Sequence, residues 1–343
     1  NAKKACKGTE TLVALDMGPI GQLLEPTGSL TFEEAYDIFK EEVEAAKEAD
    51  VIVIETMTDL METKAAVLAA KEISNLPIIT TMTFEENKRT FTGCSVSAMC
   101  LTLEGLGVNA LGVNCSLGPK DLLPIVEEIS KWTTLPIVVK ANAGLPDPVT
   151  NTYNVLSDEF SLICRQMLQY GVKVLGGCCG TTPEYIKELK IMLEDAATKG
   201  ELMKPDNKRE LAICSPLKTV VVDQPRIIGE RINPTGKKRF KQALKEGDMD
   251  YILGQAIEQV EAEADILDVN VGSPEIDERE MMIKTVKALQ AIVDVPLQID
   301  STKPEVLEAA LRVYNGKPIV NSVNGEDKVL DAILPLVAKY GAD

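Results

Sequence analysis

The residues most able to do chemistry sit in VLGGCCGTTPEY, residues 174–185, where Cys178 and Cys179 are adjacent at the end of an apolar run. The chain has eight cysteines and no histidine. It therefore lacks the usual general base and the commonest metal ligand, and a metal site would rest on thiolates and carboxylates. Three readings of the pair are open. Buried structural thiols suit either cysteine alone, but suit less well a pair framed by GG and GT, which favours close backbone approach over packing. A vicinal disulfide would be strained, because neighbouring Cα atoms lie about 3.8 Å apart and ordinary disulfides need roughly 4.4–6.8 Å. In the third reading Cys178 and Cys179 join Cys115, at the end of ALGVNC (110–115), in a three-thiolate Zn²⁺ site. Three protein ligands leave one tetrahedral position open. A substrate thiol bound there is held as a thiolate at neutral pH, and the chemistry implied is alkyl transfer to sulfur.

A second group of polar residues ends other apolar, β-branched runs. In the first part of the chain these are Glu55 (VIVIE), Asn114 (ALGVN) and Asn142 (VVKAN). Further on they are Glu230 and Asn233 in GERINPTG, Asp268 and Asn270 in ILDVN, Asp300 in LQID and Asn321 in IVNS. The carboxylates and amides of the later set could hydrogen-bond a flat, nitrogen-rich heterocycle such as a pterin edge. The plainer alternative is that Asp300 and Asn321 cap the helices that follow.

Elements of recurring type must position these groups. Strand-like runs at 11–18, 51–57, 77–84, 110–115, 136–143 and 173–179 alternate with helical patterns, and four more follow at 225–233, 266–272, 296–301 and 318–323. One helix is expected to start at Thr31 as N-cap, with Phe32, Ala35, Phe39, Val43 and Ala46 at helical spacing. Consecutively apolar strands alternating with helices imply an α/β fold with parallel sheets covered on both faces. Functional groups then gather at the C-terminal strand ends. Periodicity alone leaves open a doubly wound sheet or a (β/α)8 barrel. Residues 198–224 mix charge, Gly and Pro and are read as a linker between modules at 1–197 and 225–343.

Composition narrows the partners. A formal charge of −17 and 4% aromatic residues argue against nucleic-acid binding, and the acidic balance disfavours anionic membranes. No run is long enough to span a bilayer. Cysteines this sparse fit a reducing, cytoplasmic setting, with Cys6, Cys100 and Cys164 read as small apolar residues of helices.

GVNCSLGP, KANAG and GGCCGTTPE resemble the homocysteine S-methyltransferase barrel, and IGERINPTG, ILDVNVGSPEIDE, LQIDS and IVNSVNGE resemble the pterin-binding barrel that follows it in cobalamin-dependent methionine synthases. The resemblance covers essentially the whole chain. It implies two consecutive (β/α)8 TIM-type barrels; with about six and four strands against the eight needed, both are expected to be incomplete and the chain cut at both ends. It further implies that Cys115, Cys178 and Cys179 bind zinc, with homocysteine sulfur in the fourth position and Glu55 and Asn142 near its amino-acid group. Glu230, Asn233, Asp268, Asn270, Asp300 and Asn321 would line a site for 5-methyltetrahydrofolate, with Asp300 and Asn270 in catalytic roles at N5. The methyl group would pass through methylcobalamin on a module this chain does not contain. Two alternatives stand beside this: a cobalamin-independent enzyme using betaine or S-methylmethionine, and a non-catalytic thiol redox module.

Overall fold

The computed structural model describes residues 1–150, 152–202 and 210–343. Residues 203–209, part of the expected linker, lie outside the described set. The chain divides into two compact units, Asn1–Arg209 and Glu210–Asp343.

Unit 1 opens with a short helix, α1 (Ala2–Ala5), and is built on six parallel strands: β1 (Ala14–Met17), β2 (Val51–Met57), β3 (Ile78–Met82), β4 (Ala110–Asn114), β5 (Ile137–Ala141) and β6 (Val172–Gly177). Helices α2 (Phe32–Ala45), α3 (Leu60–Ile73), α4 (Val96–Gly105), α5 (Pro119–Trp132) and α6 (Ser157–Gln166) connect them, and α7 (Pro183–Thr198) follows β6. All six expected strands are present. Their spatial order is their chain order, β1 through β6. A doubly wound sheet reverses at a switch point; this one never does, so its strands wind in one direction. No sheet closes into a barrel among the described residues.

Local chemistry sets the element ends. Thr31 accepts a hydrogen bond from the Glu34 N–H (3.2 Å) while Glu34 Oε2 accepts from the Thr31 N–H (2.8 Å), a capping box that fixes the entry of α2. Pro119 and Pro183 start α5 and α7, where a missing N–H costs nothing. Strand β2 alternates fully buried Ile52 and Ile54 with part-exposed Val51, Val53 and Glu55, so Glu55 shares the less covered face. Cys100 and Cys164 are buried in α4 and α6, and burial pushes the Cys164 thiol up to about 12. Cys6 instead lies just beyond α1 and is only partly covered.

Unit 2 corrects the linker assignment. Within 198–224 the strands β7 (Ala212–Cys214) and β8 (Thr219–Val221) pair antiparallel, and Ile213 and Val220 pack with Ile266 and Ile319. The Cys214 carbonyl accepts from the Lys317 N–H (2.9 Å) and the Tyr314 hydroxyl (3.0 Å). Three-residue β-branched strands beside charges, Gly and Pro give too little periodicity to register, yet burial of their apolar alternates makes them structure rather than tether. Four parallel strands follow: β9 (Ile228–Ile232), β10 (Ile266–Val269), β11 (Leu297–Asp300) and β12 (Ile319–Asn321), again in chain order. Their helices are α8 (Lys238–Glu246), α9 (Met249–Glu261), α10 (Glu278–Gln290), α11 (Pro304–Val313) and α12 (Asp327–Tyr340). No described helix is long and apolar enough to cross a membrane.

Candidate metal centre and heterocycle site

In unit 1 the end of β5 staples the two cysteine-bearing strand ends together. The Cys115 N–H donates to the Lys140 carbonyl (3.0 Å) and the Cys178 N–H to the Ala141 carbonyl (2.8 Å). The Cys179 N–H donates to Asn142 Oδ1 (3.0 Å), and the Ala143 N–H returns to the Cys179 carbonyl (2.9 Å). Cys115 and Ser116 both adopt left-handed backbone, each at φ 61°, which turns the chain sharply off β4. Gly177 and Gly180 are required by close approach. A Cβ on Gly177 would lie 2.2 Å from Thr181 Oγ1, and one on Gly180, already at φ +79°, 2.3 Å from the Tyr153 ring.

These turns bring Cys115, Cys178 and Cys179 together, their sulfurs all within 4.8 Å of one another. Cys115 Sγ and Cys179 Sγ are 3.8 Å apart, and all three cysteines are free thiols. Tetrahedral zinc with Zn–S near 2.3 Å needs an S···S edge of about 3.8 Å. The donor set is soft, partly open to solvent at Cys179, and fits a three-thiolate zinc site. The Cys178 thiol donates to Cys115 and holds its pKa down to about 5 against partial burial; the Ser116 N–H, Cys179 and the Asn142 side chain add to the effect. The Cys178 thiol is correspondingly driven up, first by that same hydrogen bond and then by burial.

Asn114, fully buried, ties this cluster to β2. Its Oδ1 accepts from the Thr56 N–H (2.8 Å) and the Thr81 hydroxyl (2.7 Å), and its Nδ2 reaches Thr56 Oγ1 (2.8 Å) and Cys178 Sγ (4.0 Å). Thr56 is a β-branched residue at φ 62°, a conformation held by those bonds at a break in the β2–β3 register. Next to it Glu55 forms an ion pair with Lys140 on β5. The Asp16 carboxyl on β1 is raised by partial burial and by Glu55, with Lys140 opposing. Glu55, Asn142 and the three cysteines therefore converge at the strand ends of one sheet. Asn142 is engaged with the cysteines themselves. Thr56 and Tyr153 were not singled out from sequence, and the pairing of Lys140 with Glu55 was not visible there. Only the strand-end position of Asn114 was visible there.

In unit 2 the polar groups stand on the strands in two rows. Register places Asp268 beside Gln298, and Asp300 beside Asn321. Period-two alternation puts Asn270 and Asp300 one step further along the same faces. The Gln298 amide donates to Asp268 Oδ1, as does Asn321 Nδ2 at 3.5 Å, while Asn270 Nδ2 donates to Asp300 Oδ2 (2.9 Å). Asn270 is fixed in turn by the Gly272 N–H on its Oδ1 (2.8 Å). Asp268 is 2% exposed, and its Oδ2 is buried without a hydrogen-bond partner among the described residues. Burial raises the carboxyls of Asp268 and Asp300, with Glu230 adding to both; Gln298 and Asn321 oppose the rise at Asp268, and Asn270 opposes it at Asp300.

Asn233 lies apart from these rows in the β9–α8 loop, donating to Glu230 Oε1 (3.1 Å) and accepting from the Thr235 N–H (2.9 Å). The helix-cap alternative fails for both residues it concerned: Lys303 and Glu326, not Asp300 and Asn321, are the N-caps of α11 and α12. Gln298 was missed, although its spacing two before Asp300 put it on the same face.

One unit ends in a cluster of three cysteines and the other in paired acids and amides, and each matches a family model. The model described as homocysteine S-methyltransferase matches residues 1–193, and that described as pterin binding enzyme matches residues 229–343. The chain belongs to the homocysteine S-methyltransferase family, with a pterin-binding domain after it. It is similar to the methionine synthase of Mycobacterium tuberculosis, 30% identical over 86% of this chain and 26% of that protein, and to that of Mycobacterium leprae, 29% identical over 95% and 28%. It thus spans about a quarter of the length of the curated relatives it matches. Among solved structures, the homocysteine methyltransferase MmuM from Escherichia coli in its metallated form is 24% identical, with a TM-score of 0.46 over 55% of this chain and 64% of that one.

Proposed function

We propose that this chain is the substrate-handling part of a cobalamin-dependent 5-methyltetrahydrofolate–homocysteine S-methyltransferase. In this reading each unit is a segment of a (β/α)8 barrel, a cytoplasmic setting keeps the thiols reduced, and the methyl group travels through cobalamin on a separate module. The observation that carries the reading is the sulfur spacing. Cys115 and Cys179 stand one tetrahedral edge apart, with Cys178 beside them.

Cys115, Cys178 and Cys179 would hold zinc, which when bound keeps a substrate thiol ionised and nucleophilic at neutral pH. The staples from Lys140, Ala141 and Asn142 hold the three sulfurs at one point, so little reorganisation accompanies loading. Glu55, at the same strand ends, offers a carboxylate for the ammonium of an amino-acid substrate such as homocysteine. In unit 2, Asp268, Asn270, Asp300 and Asn321 would bind the pterin, with Glu230 and Asn233 at its border. Asp300, its carboxyl raised by burial, suits holding or relaying the proton that N5 needs to become a leaving group, and Asn270 fixes that carboxyl in place.

Metal analysis of freshly purified, reduced protein tests the reading. About one zinc per chain is expected. Zinc-free protein that also takes up none on addition would refute it.

A further inference from the structure

Unit 2 alternates acid and amide across two neighbouring strands. In the lower row the acid is on β10 (Asp268) and the amide on β11 (Gln298); in the upper row the amide is on β10 (Asn270) and the acid on β11 (Asp300). Each carboxylate has one oxygen occupied by the cross-strand amide. At Asp268 the consequence is sharpest, because the remaining oxygen is buried and has no hydrogen-bond partner among the described residues. A buried carboxylate oxygen without a donor costs free energy unless a ligand supplies one. A ligand completing the site therefore brings N–H groups to it.

We propose that Gln298 is a positioning residue of this site: by holding Asp268 Oδ1 it fixes Oδ2 as the acceptor for a ligand N–H. The inference rests on the reading of unit 2 as a reduced-folate site and adds to it a residue that touches no ligand. Gln298 suits the role because it projects from the strand paired in register with β10. Its donor thus meets the carboxylate side-on, across about one strand spacing. Asn321 supports the same oxygen at longer range, 3.5 Å. Without Gln298 the carboxylate keeps only the longer Asn321 contact, which holds its orientation less firmly.

The test is calorimetric titration of the whole chain with 5-methyltetrahydrofolate, comparing Gln298→Leu, Gln298→Glu and Asp268→Asn with wild type at pH 8 and pH 5.5, with circular dichroism confirming folding. Gln298→Leu is expected to weaken binding about tenfold at both pH values, the order of one lost hydrogen bond to a charged group. Gln298→Glu keeps the shape but can donate only when protonated. Its affinity should fall at least as far at pH 8 and recover severalfold at pH 5.5, measured relative to wild type so that titration of Glu230, Asp300 and Glu278 cancels. A merely space-filling Gln298 would give no such recovery. Equal loss in Gln298→Glu at both pH values, or wild-type affinity in both Gln298 variants while Asp268→Asn binds weakly, overturns the positioning role and leaves the folate reading standing. Failure of wild type to bind overturns both.

Discussion

The two candidate sites are built by different means from the same kind of parallel strand. In unit 1 the cysteines lie just past the strands, with the turn off β4 forced into left-handed backbone at Cys115 and Ser116, and are stapled by main-chain bonds from the end of β5. In unit 2 the groups of the two rows stand on or immediately after extended strands and meet their neighbours through regular register. Sulfurs that must share one metal have to come within a few ångströms, closer than adjacent strands at about 4.8 Å bring equivalent residues. A planar ligand read by hydrogen bonds needs a flat array, which a sheet supplies without distortion. Strain collects where convergence is demanded.

That contrast can be broken or sharpened by substitution. The largest effect is expected from Cys178→Ser, which should reduce zinc from about one per chain to near none by elemental analysis while leaving 5-methyltetrahydrofolate affinity unchanged. Loss of both would show that the two sites are not separable. Asp300→Asn should do the converse, cutting methyl transfer from the folate by about a hundredfold or more, the range for a group that handles a proton, with zinc content intact.

The same substitution carries a stability signature. The folded-state pKa of Asp300 is raised, so the wild-type carboxyl loses stability as pH climbs above its unfolded value near 3.8. Asp300→Asn should therefore melt higher than wild type at pH 7.5, with the difference shrinking as pH falls toward 4. A lower melting temperature at pH 7.5 would contradict the buried-acid assignment.

A smaller effect is expected from Asn114→Ala, which removes the amide that bonds Thr56, Thr81 and Cys178. With the Thr56 N–H and Thr81 hydroxyl left unpaired, unit 1 should lose about 2–3 kcal/mol in urea denaturation. Zinc affinity should fall as well. The smallest is Thr31→Ala, which deletes the capping box of α2 far along the chain from either site. A cost of about 1 kcal/mol with unaltered zinc and folate binding is expected, and it calibrates the others.

Much of this was readable in advance for plain reasons. Runs such as VIVIETM and ILDVNVG are short, apolar and rich in β-branched residues on consecutive positions, which favours a strand, and each became one. Thr31 with Glu34 three residues on is a helix start written locally. The β7–β8 hairpin was not legible, because three-residue strands show no period and are fixed by packing against Ile266 and Ile319. The direction of winding was equally hidden, since helices and strands alternate identically in either topology.

By itself the sequence determined the parallel α/β class, the strand ends that carry polar groups, and the oddity of a cysteine pair in a chain without histidine. Only the tertiary structure decided that Cys115 meets Cys178 and Cys179 across 64 residues of chain, that Lys140 pairs with Glu55, and that Gln298 takes one oxygen of Asp268 and leaves the other bare. The reason is that strand identity follows from local apolar pattern. Which residues face one another across strands follows from register and turn geometry, and these are set by packing between elements far apart in the chain.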